Sequence, residues 1–252
     1  MSLLPEPGPA GAIAGLDPRS RVLAALGFAL VTTTLDQPPA LLAALALALA
    51  LALAARLPAA ATLRRLAALD GFMVLTLAML PFTVPGAPWL TLAGLPASFE
   101  GTARALTILV RANAAVLALL ALVGTLEPVT LGRALARLGL PDRLVWLYLF
   151  TIRYLDVLHR EYLRLATAMR ARGFRPGTDR HTWRSLGLLF GMLLVRSLER
   201  SERIIAAMRC RGFDGRLRPL AEETAFGPPD RLFALASGGG LGLLAVAGTG
   251  VL

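Results

Sequence analysis

A seven-residue pattern occurs twice in this chain. Residues 168–174 read Ala168-Met169-Arg170-Ala171-Arg172-Gly173-Phe174, and residues 207–213 read Ala207-Met208-Arg209-Cys210-Arg211-Gly212-Phe213, identical at six of seven positions with an offset of 39. The chemistry open to such a pattern is recognition. Arginine presents a planar fork to a carboxylate, and phenylalanine supplies an apolar anchor beside it. Helix termination accounts for part of each copy, because glycine stops a helix and a cation in the last turn offsets the negative end of its dipole. It does not by itself require a second arginine, a following phenylalanine, or the same pattern twice. Two matched plugs imply two matched sockets, as a dimeric or pseudo-dimeric partner offers. Arg172 and Arg211 are the prime candidates; Met169, Phe174, Met208 and Phe213 come second, with helix packing as their competing role.

Other chemistries are poorly served. All 26 basic residues are arginine, so there is no lysine for a nucleotide-binding P-loop or a Schiff base. If ATP drives this protein, another subunit hydrolyses it. The single cysteine, Cys210, allows no intrachain disulfide, and His159 and His181 are too far apart in sequence to suggest a metal pair. There is no HExxH, GxSxG or paired-carboxylate motif. A non-catalytic chain with no metal or cofactor of its own is expected.

The elements that must position the repeats come in two kinds. The chain is 56% hydrophobic, concentrated in runs too long for a soluble core. Spans are expected at 21–35, 40–55, 71–84, 102–125 and 232–252, the first two forming a hairpin about Asp36-Gln37-Pro38-Pro39. In the first span Thr32, Thr33 and Thr34 can return their hydroxyls to helix carbonyls. Pro81 and Pro85 bend or end the third. Arg111 and Asn113 lie inside the fourth, where an ionisable group either serves function, as in an intramembrane site with Asp70, or bonds a neighbouring helix. Gly238-Gly239-Gly240 suits the last span to close helix packing. Arginines mark the N-terminal arm, residues 56–65 and the stretch after Thr125, while residues 36–39 and 85–100 carry none. The alternation predicts a cytoplasmic N-terminus.

Between residues 127 and 231 the composition changes, with about 19 of the 26 arginines against about 11 acids. Two long helices are expected there. The first, 141–172, carries an apolar stripe of Leu155, Leu158, Tyr162, Leu165 and Met169, with Arg160, Glu161 and Arg164 off it. The second, 183–211, carries Leu194, Leu198, Ser201, Ile205 and Met208, and a favourable Glu199–Arg203 pair. Gly173 and Gly212 end them, and Pro176-Gly177 breaks the connector. The fold class is thus all-α: a polytopic membrane bundle of about five spans with long cytoplasmic helices. The division is 1–126 (arm and four spans), 127–231 (cytoplasmic helices) and 232–252 (last span).

With these residues in view, the chain resembles the T component of energy-coupling factor transporters, the CbiQ/EcfT type. The resemblance starts at Leu16-Asp17-Pro18-Arg19-Ser20-Arg21, continues through Leu138-Gly139-Leu140-Pro141 and Arg153-Tyr154, and is strongest in the two Arg-Gly helix ends. Arg196-Ser197-Leu198-Glu199-Arg200 and Arg211-Gly212-Phe213-Asp214-Gly215 are most similar to the cobalt/nickel branch. The resemblance implies that Ala171-Arg172-Gly173 and Cys210-Arg211-Gly212 sit on coupling helices and insert into grooves of two ATP-binding-cassette ATPases, which carry the ATP and Mg. Cys210 departs from the family's alanine but is also small. It further implies a separate membrane S component that selects cobalt or nickel, and a multi-pass place in the inner membrane. The competing readings are a membrane-anchored, arginine-rich nucleic-acid binder, an intramembrane enzyme, and a permease with its own substrate site. The nucleic-acid reading needs a charged patch rather than two matched helix ends, so no nucleic-acid partner is expected.

Overall fold

The computed structural model describes residues 11, 13, 15–92, 95–213 and 227–248. Most of the N-terminal arm, the stretch 214–226 and the last four residues of the 232–252 span lie outside the described residues. The described residues form two compact units, one from 11–127 with 227–248 and the other from 128–213.

The first unit is built on α1 (Pro18–Thr34), α2 (Pro38–Ala54), α3 (Ala59–Leu77), α4 (Leu80–Thr83), the strands β1 (Pro88–Leu92) and β2 (Leu95–Ser98), α5 (Phe99–Leu122) and, returning late in the chain, a helix over Pro228–Gly248. Asp17 caps α1, its Oδ1 accepting the Arg19 N–H at 2.9 Å. Thr32, Thr33 and Thr34 bond back to the carbonyls of Phe28, Leu30 and Val31. One face of the Leu/Ala run of α2 is an alanine stripe. Ala40, Ala44, Ala48 and Ala52, one per turn, are buried, while Leu42, Leu49 and Leu53 face outward. The alanine stripe meets Ala114, Leu117, Ala118 and Ala121 of α5, so small side chains let the two helices approach closely.

Three details differ from the sequence expectation. The third apolar helix starts at Ala59 rather than near Gly71, so Arg64 and Arg65 lie on the helix and the loop shrinks to Arg56–Pro58. Strong helix formers after Pro58 explain the early start, and the break between α3 and α4 falls at Ala78 and Met79, just ahead of Pro81, which has no N–H to continue the helix. The stretch 85–100, expected as a loop, contains the antiparallel β1–β2 hairpin, pairing Leu90 with Ala97 and Leu92 with Leu95. Leucine, threonine and tryptophan around a two-residue connection favour it. The glycines at 238–240 do not pack closely within this chain: a Cβ at Gly238 or Gly239 would meet nothing within 4 Å. The close approach is made instead at Gly27 of α1, where a Cβ would lie 2.9 Å from Leu241 Cδ1.

Among the described residues, two stretches, Ala59–Thr83 with 25 residues and Phe99–Leu122 with 24, are long and apolar enough to cross a membrane, and Pro38–Ala54 is shorter. Their outward side chains, among them Phe72, Leu75 and Met79, are about three-quarters exposed. So much apolar surface is not tolerated in water and suits lipid.

The second unit comprises α6 (Pro128–Arg137), α7 (Asp142–Ala171) and α8 (Arg180–Cys210); the late helix of the first unit is α9. Gly132 lets α6 lie against α7, since a Cβ there would come within 2.6 Å of Leu149 Cδ2 and 3.0 Å of the Tyr148 ring. Burial at this contact pushes the Tyr148 phenol above its usual pKa. The α6 stop at Gly139 (φ +88) is followed by Leu140 and Pro141, which start α7.

Candidate functional site

The repeated pattern becomes a repeated object. At the end of α7 the Gly173 N–H bonds the Arg170 carbonyl at 3.0 Å and the Phe174 N–H bonds the Met169 carbonyl at 3.1 Å. At the end of α8 the Gly212 N–H bonds Arg209 at 3.0 Å and the Phe213 N–H bonds Met208 at 3.1 Å. Both are Schellman stops, which need a left-handed residue after the cap. Gly173 and Gly212 supply it at φ +80 and +79. The caps match as well: Arg172 sits at φ −86, ψ 12 and Arg211 at φ −93, ψ 13.

This geometry assigns the seven positions. A Schellman stop favours apolar residues at the third position from the helix end and two beyond the cap. In both copies these are the methionine and the phenylalanine, and both are half-buried. Met169, Phe174, Met208 and Phe213 thus occupy the positions where a helix stop of this kind favours an apolar pair. The side chains that the stop does not use are displayed: Arg170, Ala171 and Arg172 in one copy, and Arg209, Cys210 and Arg211 in the other, are all exposed.

The two displays are far apart. α7 and α8 run antiparallel, because Arg196 of α8 bonds Glu161 of α7 while Phe213, past the end of α8, stacks on Trp146 near the start of α7. The 26 residues from Trp146 to Arg172 span about 39 Å of helix, so Arg172 and Arg211 cannot share a socket.

Sequence reasoning missed what holds the second display. Trp146, Phe150 and Tyr154 follow one helical turn apart along α7, the first two rings tilted with centroids 4.6 Å apart and the last two stacked at 5.6 Å, and Phe213 extends the ladder onto Trp146 at 5.1 Å and 5° between planes. The spacing of four at 146, 150 and 154 was the available signal. Glu161, read as an outward charge, has a side chain only 12% exposed and pairs with Arg196 and, at 3.7 Å, with Arg164. An open apolar groove of about 390 Å³ lies between the helices, lined by Trp146, Phe150, Tyr154, Leu158, Leu198 and Met208 among others. The Glu199–Arg203 pair forms at 3.9 Å on the surface. His159 and His181 belong to no group of three ligating side chains; among the described residues there is none.

In the first unit, the residues considered for an intramembrane site bind helices to one another. Arg111 donates to the Leu35 carbonyl at 2.5 Å and to Asp36 at 3.0 Å, tying α5 to the α1–α2 turn. Asn113 donates to Asp70 at 2.7 Å, tying α5 to α3.

Exposed apolar helices long enough to cross a membrane, beside two helices with matched, exposed arginine ends, define a helical membrane protein. The chain belongs to the CbiQ family of cobalt transport proteins, whose profile matches residues 12–221. It is 32% identical over 184 residues to the cobalt transport protein CbiQ of Rhodobacter capsulatus, covering 63% of this chain and 75% of that protein. It is 29% identical over 156 residues to a protein of Methanocaldococcus jannaschii described as uncharacterized, covering 60% of this chain and 57% of that one.

Proposed function

We propose that this chain is the transmembrane coupling subunit of an energy-coupling factor importer for cobalt or nickel. The observation that carries the reading is the pair of superimposable Schellman ends, each displaying arginine, a small residue and glycine. A dimeric ATPase offers two equivalent grooves, and helix ends about 39 Å apart would reach one in each protomer. Arg172 and Arg211 would each meet a groove carboxylate, Ala171 and Cys210 being small enough to let the helix end in, and Gly173 and Gly212 turning the chain away. ATP and Mg would bind the ATPases. Closure of the ATPase dimer would shift the helix ends, and the α7–α8 hairpin would carry that shift to a membrane S component that holds the metal ion. The half-exposed stripes of both helices and the groove between them leave apolar surface for such contacts. About five spans, an inner-membrane location and a cytoplasmic N-terminus complete the reading.

Membership of the cobalt transport family supports it, as does the name of the Rhodobacter relative. The nucleic-acid alternative loses ground because Arg164, Arg196 and Arg203 are engaged by Glu161 and Glu199 rather than forming a free patch. The test is co-purification with a co-expressed ABC ATPase in detergent. Wild type should retain the ATPase, each single Arg172→Ala or Arg211→Ala variant should retain less, and the double variant none. Full retention by the double variant would overturn the proposal.

A further inference from the structure

The α7–α8 hairpin carries two concavities that adjoin. The apolar groove of about 390 Å³ follows α7 from Trp146 to Leu158 and is bounded on the α8 side by Leu198 and Ile205, with Arg200 also on its wall. Ser197 and Ser201 line it too, but their hydroxyls are turned back to the Leu194 and Leu198 carbonyls, so they bring it little polarity. A smaller cup of about 240 Å³ is formed by Val157, Arg160, Glu161, Arg164 and Arg200. Val157 and Arg200 belong to both, so a basic cup stands at the side of an apolar groove.

Neither concavity is filled from within the hairpin. Leu158, Leu198 and Ile205 stay about half exposed. In the cup, Glu161 is already engaged by Arg196 and Arg164, and Arg200 has no acidic partner among the described residues. Three arginines against one satisfied carboxylate leave the cup positive, and an arginine fork suits a phosphate. The ligand that matches is apolar along one stretch and anionic at its end. Its length is also bounded. Trp146 to Leu158 covers about 18 Å of helix, and one acyl chain fills half of a hydrocarbon core about 30 Å thick. A phospholipid carries its phosphate at the end of just such a chain, and the membrane of a membrane protein supplies it.

We propose that the hairpin binds one anionic phospholipid, its acyl chain in the groove and its phosphate on Arg200 and Arg160. The site is separate from the two arginine ends and does not depend on the coupling role proposed above. Leu155, Tyr162 and Leu163 lie outside the groove and remain exposed, so a membrane partner can still meet the hairpin.

The experiment uses the purified full-length chain in detergent with Trp89→Phe and Trp183→Phe, which leaves Trp146 as the sole tryptophan. It is titrated with phosphatidylglycerol or phosphatidylcholine brominated on the acyl chain, and Trp146 quenching is read. Brominated phosphatidylglycerol should quench saturably and brominated phosphatidylcholine far more weakly. Arg200→Gln should raise the half-quenching concentration about fivefold, the factor for one basic contact at an anionic lipid surface, and Arg200→Lys should retain most of the affinity. Arg203→Gln, at an arginine paired with Glu199 outside the cup, should change nothing. Ser201→Phe, which fills the groove, should abolish saturable quenching; if circular dichroism shows that it unfolds, the two Arg200 variants decide alone. Equal quenching by the two lipids, or an Arg200→Gln curve that matches wild type, would overturn the proposal and leave the groove to a protein partner. Full displacement of the lipid by inorganic phosphate would also overturn it, since the cup would then be a plain anion site.

Discussion

Replacing Gly212 by alanine should weaken the second docking end without touching a single displayed side chain. A Cβ at Gly212 would meet nothing within 4 Å, so sterics against neighbours are not the issue. The cost lies in the backbone, which sits at φ +79. Placing an L-residue with a Cβ in the left-handed region costs about 1–2 kcal/mol. The last turn of α8 can avoid that cost by giving up the two Schellman bonds to Met208 and Arg209. The fraction of molecules with a formed end then falls about 5- to 30-fold, and the apparent affinity for an ATPase groove falls by the same factor. Gly173→Ala should behave alike, since Gly173 has the same φ and equally open surroundings. The ends lie far apart, so the double variant should lose roughly the product of the two factors. Asparagine tolerates the left-handed region, and Gly212→Asn should recover most of the loss. The assay is titration of purified ATPase onto the chain in nanodiscs, with amide exchange of residues 208–213 read in parallel. Equal losses for alanine and asparagine, with unchanged exchange at the helix end, would refute the reasoning: the glycine would then be a contact, not a conformational requirement.

Removing the Glu161 charge with Glu161→Gln should loosen the α7–α8 hairpin by about 1–3 kcal/mol, because Arg196 and Arg164 lose a largely buried acceptor; the exchange Glu161→Arg with Arg196→Glu should recover part of it in thermal unfolding followed by tryptophan fluorescence. Trp146→Ala removes the ring on which Phe213 rests, a contact worth about 0.5–1.5 kcal/mol beyond buried area. It should weaken ATPase capture in an Arg172→Ala background and leave it nearly unchanged in an Arg211→Ala background. Ala44→Leu forces bulk into the α2–α5 seam and should cost about 1–3 kcal/mol, whereas Leu49→Ala on the outward face should leave the melting temperature close to wild type.

Much of this molecule was legible from sequence because its signals are local. The ends of α7 and α8 fell within a residue of Gly173 and Gly212, since a left-handed stop is written in one glycine and its apolar flanks. The apolar runs at 40–55 and 102–125 marked α2 and α5 because length and composition alone decide whether a helix suits lipid. The paired arginines showed through repetition, which needs no third dimension to be seen. Pairings between distant residues were not visible in this way. Glu161 looked like one more surface charge until the hairpin set the register that brings Arg196 to it, although folding the helices back about the connector near residue 178 would have suggested the match. The alanines of α2 were indistinguishable from its leucines as span formers; only contact with α5 decided which face, that of Ala40, Leu41, Ala44, Ala48 and Ala52, turns inward. The glycines of α9 invited packing that Gly27 provides instead, because which face of a helix meets its neighbour depends on how that neighbour is rotated. The bonds from Arg21 to the Thr125 hydroxyl and from the Asp17 N–H to the Asp230 carboxylate follow from no shared pattern, and the folded chain alone makes them. Helix type and helix ends follow from short-range backbone preference and are determined by sequence directly; partners across more than a hundred residues follow from packing and belong to the tertiary structure.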